Sequence, residues 1–329
     1  MTDSRKETVR RSPYRIGLAG VAVLAVLAGG LLLGRATHLF GPSAVCHGWV
    51  SADDAQDVLG GLGRVSSTDH APASCEVKLT GWGAGGEDVA FILSPAAESA
   101  RFPFERDLWG VSGAMTVMVG SRTAGAVDRH GGWVALPDAC AGAIGGSGGP
   151  GRPVLKASVI KAEADPEALA RVLEDAAAGL AEQSGCATRA EIALGEPAAP
   201  SPPAVADFDE VCALPGFTLP RMTGDRGKSV RQQTAGSLGS GGWFCDLTFS
   251  RPGGPVPFAR FAIVQHEALT ASFDGTRVTR TQCRGRDAYV ALDDAGYWSP
   301  EERATAGFPS DAELRDRLVS AAQRALGCS

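Results

Sequence analysis

Eight cysteines limit this chain more than any other feature. Cys46, Cys75, Cys140 and Cys186 are separated by steps of 29, 65 and 46 residues. Cys212, Cys245, Cys283 and Cys328 follow with steps of 33, 38 and 45. The outer steps match and only the middle one differs. An even number of cysteines, none inside an apolar run, reads as a disulfide framework in an oxidising compartment. Eight cysteines allow roughly a hundred pairings. The sequence around them narrows the choice, because it repeats. "ASCEVKLTGWG" is echoed by "WFCDLTFSRPGG", "EDVAFILS" by "ARFAIVQH" and "AVCHGWV" by "EVCALPG". "DPEALARVLEDAAAGLAEQSGC" has its counterpart in "SDAELRDRLVSAAQRALGC". The simplest connectivity repeats with the sequence: Cys46–Cys75 and Cys140–Cys186, then Cys212–Cys245 and Cys283–Cys328. In the chain-entropy model each such staple contributes at most about 3.5–4 kcal/mol. No C-x-x-C pair is present and no two cysteines have metal-ligand spacing, so structural cystines are expected rather than redox or zinc chemistry.

The N-terminus carries the strongest local signal. No side chain from Ile16 to Gly34 is charged or strongly polar. As a helix those 19 residues span about 28 Å, close to the hydrocarbon thickness of a bilayer. Arg5, Lys6, Arg10, Arg11 and Arg15 precede the run, and after Arg35 the next basic residue is Arg64. The positive-inside rule then places the N-terminus in the cytoplasm and the bulk of the chain outside. A cleaved signal peptide has a shorter apolar core and a small-x-small site, of which "GRA" and "PSA" are poor versions. Cys46 lies too far from the run for a lipid-modified cysteine, and "VRRSPYR" matches a twin-arginine signal weakly. Beyond residue 35 the chain carries 25 basic and 35 acidic residues, and an acidic body argues against a nucleic-acid partner.

The expected organisation follows. Residues 1–15 form a cytoplasmic tail, 16–34 a transmembrane helix and 35–44 a link. Residues 45–187 form a first extracytoplasmic repeat, 188–208 a Pro/Ala-rich semi-rigid spacer and 209–329 a second repeat. The spacer would let the copies move separately. Each repeat reads as α+β, an antiparallel sheet with flanking helices and two disulfides. In the first, a helix begins at Ser51 with Asp54 as its capping partner, and strands are predicted over 75–80, 88–93, 115–119, 132–136 and 153–160. In the second, the first helix is degraded to "ALPGFTLP". Strands are predicted near 243–250, 258–265, 277–283 and 287–292, and Ser299 caps a short helix. The closing helices start at Asp165–Pro166 and at Ser310 with Glu313, and each stops at Gly-Cys. The first repeat carries an insertion of about 27 residues between its middle cysteines.

Motifs with chemistry are weak. Ser147 in "GGSGG" fits a G-x-S-x-G nucleophile pattern, with His130 and Asp138 as nominal partners, but a Gly-rich loop replaces the strand and helix the motif needs. Gly227-Lys228-Ser229 lacks the upstream glycine of a phosphate loop, whose place is taken by Met222. "GWGAGG" and "GSGGPG" fit G-x-G-x-x-G without opening a helix. His38, His47, His70, His130 and His266 are scattered, so no metal or cofactor is expected. Asp53–Asp54 and Glu301–Glu302 fall in helix first turns, where acids complement the dipole; Asp293–Asp294 is a third acidic pair. Among six tryptophans, Trp133 and Trp243 lie in strand patterns and belong to a core. Trp82, in a glycine turn, and Trp109, in the insertion, are candidate ligand contacts.

"VCHGWVSADDAQDVLGGLG…ASCEVKL" resembles the opening of a family of actinobacterial secreted lipoproteins of unknown function, over some 35 residues. The resemblance implies an antiparallel sheet with flanking helices, a cell-envelope location and no catalytic residues. The two-disulfide arrangement is also similar to extracellular sensor domains of actinobacterial Ser/Thr kinases, although only about 15 residues here lie inside. The expectation is a single-pass, non-catalytic binding or sensor protein of the bacterial envelope. Its ligand would be a protein, a cell-wall component or a small molecule, held on a sheet face or in the groove between repeats. The alternatives are an envelope serine hydrolase using Ser147 and a purely structural envelope component.

Overall fold

The computed structural model describes residues 42–328 apart from 62, 71–72, 82–88, 99–110, 143, 145–150, 223–228, 250–255, 271–277 and 294–298. The expected membrane span, Trp82, Trp109 and Ser147 all lie outside the described residues. Among the described residues no helix is long and apolar enough to cross a membrane.

The chain is mixed α+β, with mostly antiparallel sheets and four disulfides. A two-residue hairpin, β1 (Ala44–Val45) and β2 (Val50–Ser51), leads into α1 (Ala52–Leu59). Then come β3 (Gly63–His70), β4 (Ser74–Gly81), β5 (Val89–Glu98), β6 (Thr116–Val119), β7 (Ala124–Val127), β8 (Gly131–Ala135) and β9 (Arg152–Ile160). These seven strands form one antiparallel sheet in the order β3-β4-β5-β9-β8-β7-β6. After α2 (Pro166–Ser184) and α3 (Arg189–Ile192) come β10 (Ala204–Val205), β11 (Val230–Ser237), β12 (Gly242–Phe249), β13 (Val256–Val264), α4 (Glu267–Thr270), β14 (Val278–Cys283) and β15 (Arg286–Asp293). The second sheet runs β10-β11-β12-β13-β15-β14, and α5 (Pro300–Thr305) and α6 (Asp311–Leu326) close the chain.

The two sheets follow one path. Three sequential strands pair as neighbours, the chain then skips a place, and the last strand returns to fill it. The hairpin of β6 and β7 extends the first sheet beyond that shared core of five strands. It falls within the stretch expected as an insertion.

Period-two alternation explains the layers. On β4, β5 and β9 one face presents Val77, Leu79, Phe91, Leu93, Leu155 and Ala157 to α1 and α2. On the second sheet Trp243, Cys245, Leu247, Phe261, Ile263, Val290 and Leu292 meet Leu314, Leu318 and Ala322 of α6. A bulge between Leu247 and Thr248 lets Phe258 join Ala259 on this side, stacked on Phe249 at 4.2 Å. The opposite faces of the two sheets pack against each other. Ala124, Ala126, Trp133, Ala135 and Val154 of the first meet Ala235, Phe244, Ala262, Val264 and Ala291 of the second. The molecule is therefore helix, sheet, sheet, helix in section.

This seam corrects the expectation of separately mobile copies. Residues 188–208 are not a free spacer. Thr188 and Glu191 form a capping box on α3, Ala198 bridges to Val117 of β6, and β10 pairs with β11. The short polar signals in this stretch are packed structure, because the edges of both sheets supply backbone partners for it.

The disulfides join Cys46–Cys75, Cys140–Cys186, Cys212–Cys245 and Cys283–Cys328, the pairing that the repeated spacing predicts. Each long helix ends in the same way. Gly185 and Gly327 are left-handed, at φ 67° and 66°. Their N–H groups bond back to Glu182 and Arg324, and the next cysteine N–H bonds to Ala181 or Gln323. This Schellman geometry reverses the chain, so the cysteine is carried back toward the sheet. Cys283 waits beside Arg284–Gly285, a two-residue hairpin turn with both φ positive.

Candidate interaction surface

Among the described residues, the second sheet meets the first sheet's inner face at Ala124, Ala126, Trp133, Ala135 and Val154. Cross-strand registers define rows on that face. The row Ser94–Lys156–Trp133 leads into the seam, where Trp133 is only 2% exposed. The next rows, Thr68–Glu76–Ile92–Ser158 and Ser66–Lys78–Ala90–Ile160, run out of it. Ser66, Thr68, Ser158 and Ile160 are exposed, and Glu76, Lys78 and Ile92 are half-buried. Lys78 pairs with Glu76 at 3.0 Å. A sheet face that carries hydroxyls, an ion pair and two isoleucines around the buried Ala90 can take a ligand by hydrogen bonds and apolar contact together.

β3 ends this face. Its helix-side residue Val65 is fully buried, whereas Ser66 to His70 are all exposed. At the β3 end on the helix side, Cys46 and His47 adopt left-handed backbones, φ 54° and 56°. Ser67 Oγ accepts the Cys46 N–H and Asp69 Oδ1 accepts the His47 N–H. The His47 ring lies 4.6 Å from that of Trp49, whose Nε1 donates to Gln183 on α2 at 2.8 Å. Trp49 rests flat on Gly179, where a Cβ would come within 2.5 Å of the ring. Cys212 and Ala213 repeat the left-handed pair, both at φ 54°, and Gln232 Oε1 takes the role of Ser67 by accepting the Cys212 N–H.

The groove expected between the repeats is a packed junction. His266 Nδ1 accepts the Ala268 N–H at 3.2 Å, so Nε2 carries the proton and donates to the Gly120 carbonyl at 2.9 Å. Burial pushes the imidazole below its ordinary pKa, and nearby Arg152 acts in the same direction against Glu267. Burial also lowers the pKa of Arg152, opposed by Asp138 and Glu267. Deeper in the seam, Asp246 and Arg260 face each other on adjacent strands with Nε–Oδ1 at 3.8 Å, and Arg260 is also in register with Asp293. A Cβ on Gly113 would lie 2.2 Å from the Gln233 carbonyl oxygen, so backbone meets backbone here.

The structure distributes the remaining predicted residues as follows. The eight cysteines are all in disulfides among the described residues. Trp133 and Trp243 are core. Ser51, Ser299 and Ser310 cap their helices, and Asp54, Glu302 and Glu313 are the partners in the first turn. His130 and Asp138 are described, whereas Ser147 is not. Among the described residues no group of three or more His, Cys, Asp or Glu is placed to hold a metal ion. Sequence reading missed β3, β7, β10 and β11 and the junction around His266. No protein-family model, curated protein or solved structure matches the chain.

Proposed function

We propose that this chain is a membrane-anchored, extracytoplasmic binding protein of the cell envelope, built from two copies of one disulfide-stapled unit. It acts by holding a ligand or protein partner rather than by catalysis. The polar rows on the inner face of the first sheet, beyond its contact with the second, carry this reading. They offer Ser66, Thr68, Glu76, Lys78, Ile92 and Ser158 from four adjacent strands held rigid by the helix layer and the seam. Four disulfides suit an oxidising space. The apolar run 16–34, with its basic N-terminal flank, suits a single span with the body outside. The resemblance to actinobacterial secreted lipoproteins belongs to the same proposal.

A photo-crosslinking side chain placed at Ser66 or Ser158 of the full chain in its own membranes tests it. A discrete adduct is expected from both positions and not from Asp316, exposed on the far side of α6. Lys78→Glu should cut the yield several-fold without changing the melting temperature. No adduct from the face, or equal adducts from Asp316, would remove the reading.

A further inference from the structure

The seam between the two units is crossed by the chain and by no disulfide. Each unit has its own core on its helix side, drawn from residues 45–192 in one and 206–322 in the other. Each also keeps its two cystines to itself. The seam is alanine-rich, with Trp133, Phe244 and Leu269 as its largest side chains. Alanine buries little apolar area, so the seam is a weaker contact than the cores behind it. This arrangement lets the units part with each fold intact.

His266 closes one end of this seam. Its backbone is fixed in the second unit, where the Gly241 carbonyl accepts the N–H of both Gln265 and His266, at 2.8 and 3.0 Å. Its ring reaches the first unit, where Nε2 donates to the Gly120 carbonyl in the turn between β6 and β7. Nδ1 accepts the Ala268 N–H in the first turn of α4, and the His266 carbonyl accepts the Leu269 and Thr270 N–H groups. Ala268 and Leu269 are buried in the seam. One neutral imidazole therefore ties α4, and through Leu269 the seam, to the first unit. Among the described residues, the charged groups around it are Arg152 from β9, Glu267 from α4 itself, and Asp138, which acts on Arg152, from the short turn 138–142. Arg122, in the turn that carries Gly120, is paired with Glu191 at 2.7 Å. The turn 237–241 carries no charged side chain.

We propose that the seam is an acid-operated hinge, in which protonation of His266 releases α4 from the Gly120 turn and parts the two sheets while both units stay folded. Protonated Nδ1 becomes a donor, and it points at the Ala268 N–H, a second donor. The new charge also stands beside the Arg152 guanidinium in a partly buried junction. Opening relieves both conflicts, since water then solvates the imidazolium. The closed form holds the proton less readily than the open one, so acid favours the open form. Below about pH 6.5 each further unit shifts the balance toward it by up to about tenfold, until the lowered closed-state value is reached. Opening exposes the alanine-lined inner faces with Trp133 and Phe244, a surface that the closed molecule does not present. The hinge is independent of what the polar rows of the first sheet bind.

The test uses the full chain in nanodiscs, with a fluorophore pair attached through non-natural side chains at Glu167 of α2 and Asp316 of α6, exposed on the two outer layers. Titration from about pH 7.5 to 5 should lower energy transfer reversibly in the wild type. Exchange of the Ala268 amide, corrected for its intrinsic pH dependence, should quicken by at least about tenfold over the same range, while the amides of β4 and β12 stay protected. His266→Gln keeps a donor for Gly120 and removes the titration, so its transfer should not change with pH. Arg152→Gln takes away the neighbouring charge and should move the opening to lower pH. His266→Arg, with a permanent charge, should be open at neutral pH with β4 and β12 still protected. Transfer that does not change with pH, an equal acid response in His266→Gln, or faster exchange at Ala268 with unchanged transfer would overturn the proposal. So would loss of β4 and β12 protection together with the drop in transfer, since that is global unfolding rather than opening at the seam.

Discussion

At the scale of single residues, backbone conformation and proton placement make the clearest predictions. Gly185 holds φ 67° with open space where a Cβ would go, so Gly185→Ala isolates the conformational cost. Denaturant unfolding should show a loss of about 1–2 kcal/mol. Asp246 is 4% exposed and faces Arg260 in the seam. Asp246→Ala removes one of the two carboxylates in register with Arg260 and should cost about 1–3 kcal/mol. Glu163→Ala, which breaks an exposed pair with Arg129, should cost under about 1 kcal/mol. His266 supplies the pH dependence. Its folded pKa is lowered by burial, so the unfolded chain binds the proton more readily. The stability it contributes is complete above about pH 6.5 and is lost as pH falls below that toward the lowered folded value. Protonated Nδ1 can no longer accept the Ala268 N–H. Melting temperature against pH should therefore fall more steeply on the acid side in the wild type than in His266→Gln, and parallel curves would contradict the assignment.

At the scale of elements, the helices α1, α2, α5 and α6 were legible, whereas α3, α4 and the strands β1, β2, β3, β7, β10 and β11 were not. The caps at Ser51, Asp165, Ser299 and Ser310 are local hydrogen bonds, so short sequence windows contain them. β4, β5, β9, β12 and β13 announce themselves by apolar alternation. β3, "GRVSSTDH", and β11, "VRQQTAGS", do not, since each buries only one or two side chains and is held by its neighbour's backbone. β7 is nearly all alanine and glycine, whose small side chains hide the pattern. The cystine of α6 makes the test at this scale. Cys283→Ala with Cys328→Ala should lower stability by up to about 4 kcal/mol, from a closed loop of 45 residues. Proteolysis should then start within α6. Equal stability of the double variant would mean that packing of Leu314, Leu318 and Ala322 holds the helix alone.

At the scale of the whole molecule, the seam decides how the halves behave. Alanines on both faces let the sheets approach closely, and Trp133, Phe244 and Leu269 fill the space between them. Segment 193–206 crosses both edges, from Ala198 on β6 to β10 on β11. One calorimetric transition is expected for the body rather than two, and Gly113→Ala, which forces the backbones apart, should split or broaden it. Two separate transitions in the wild type would show the seam to be weak. The cysteine spacing determined the pairing, the caps determined the helix ends, and the echoing segments determined that two similar α+β units follow one another. These are properties of neighbours along the chain or of a pattern repeated within it. The facing of the two sheets and the capture of the Pro/Ala-rich segment as an edge strand were decided only by the tertiary structure. They depend on which backbone groups and small side chains meet across long distances in sequence, and an alanine or an unpaired N–H carries no mark of its partner.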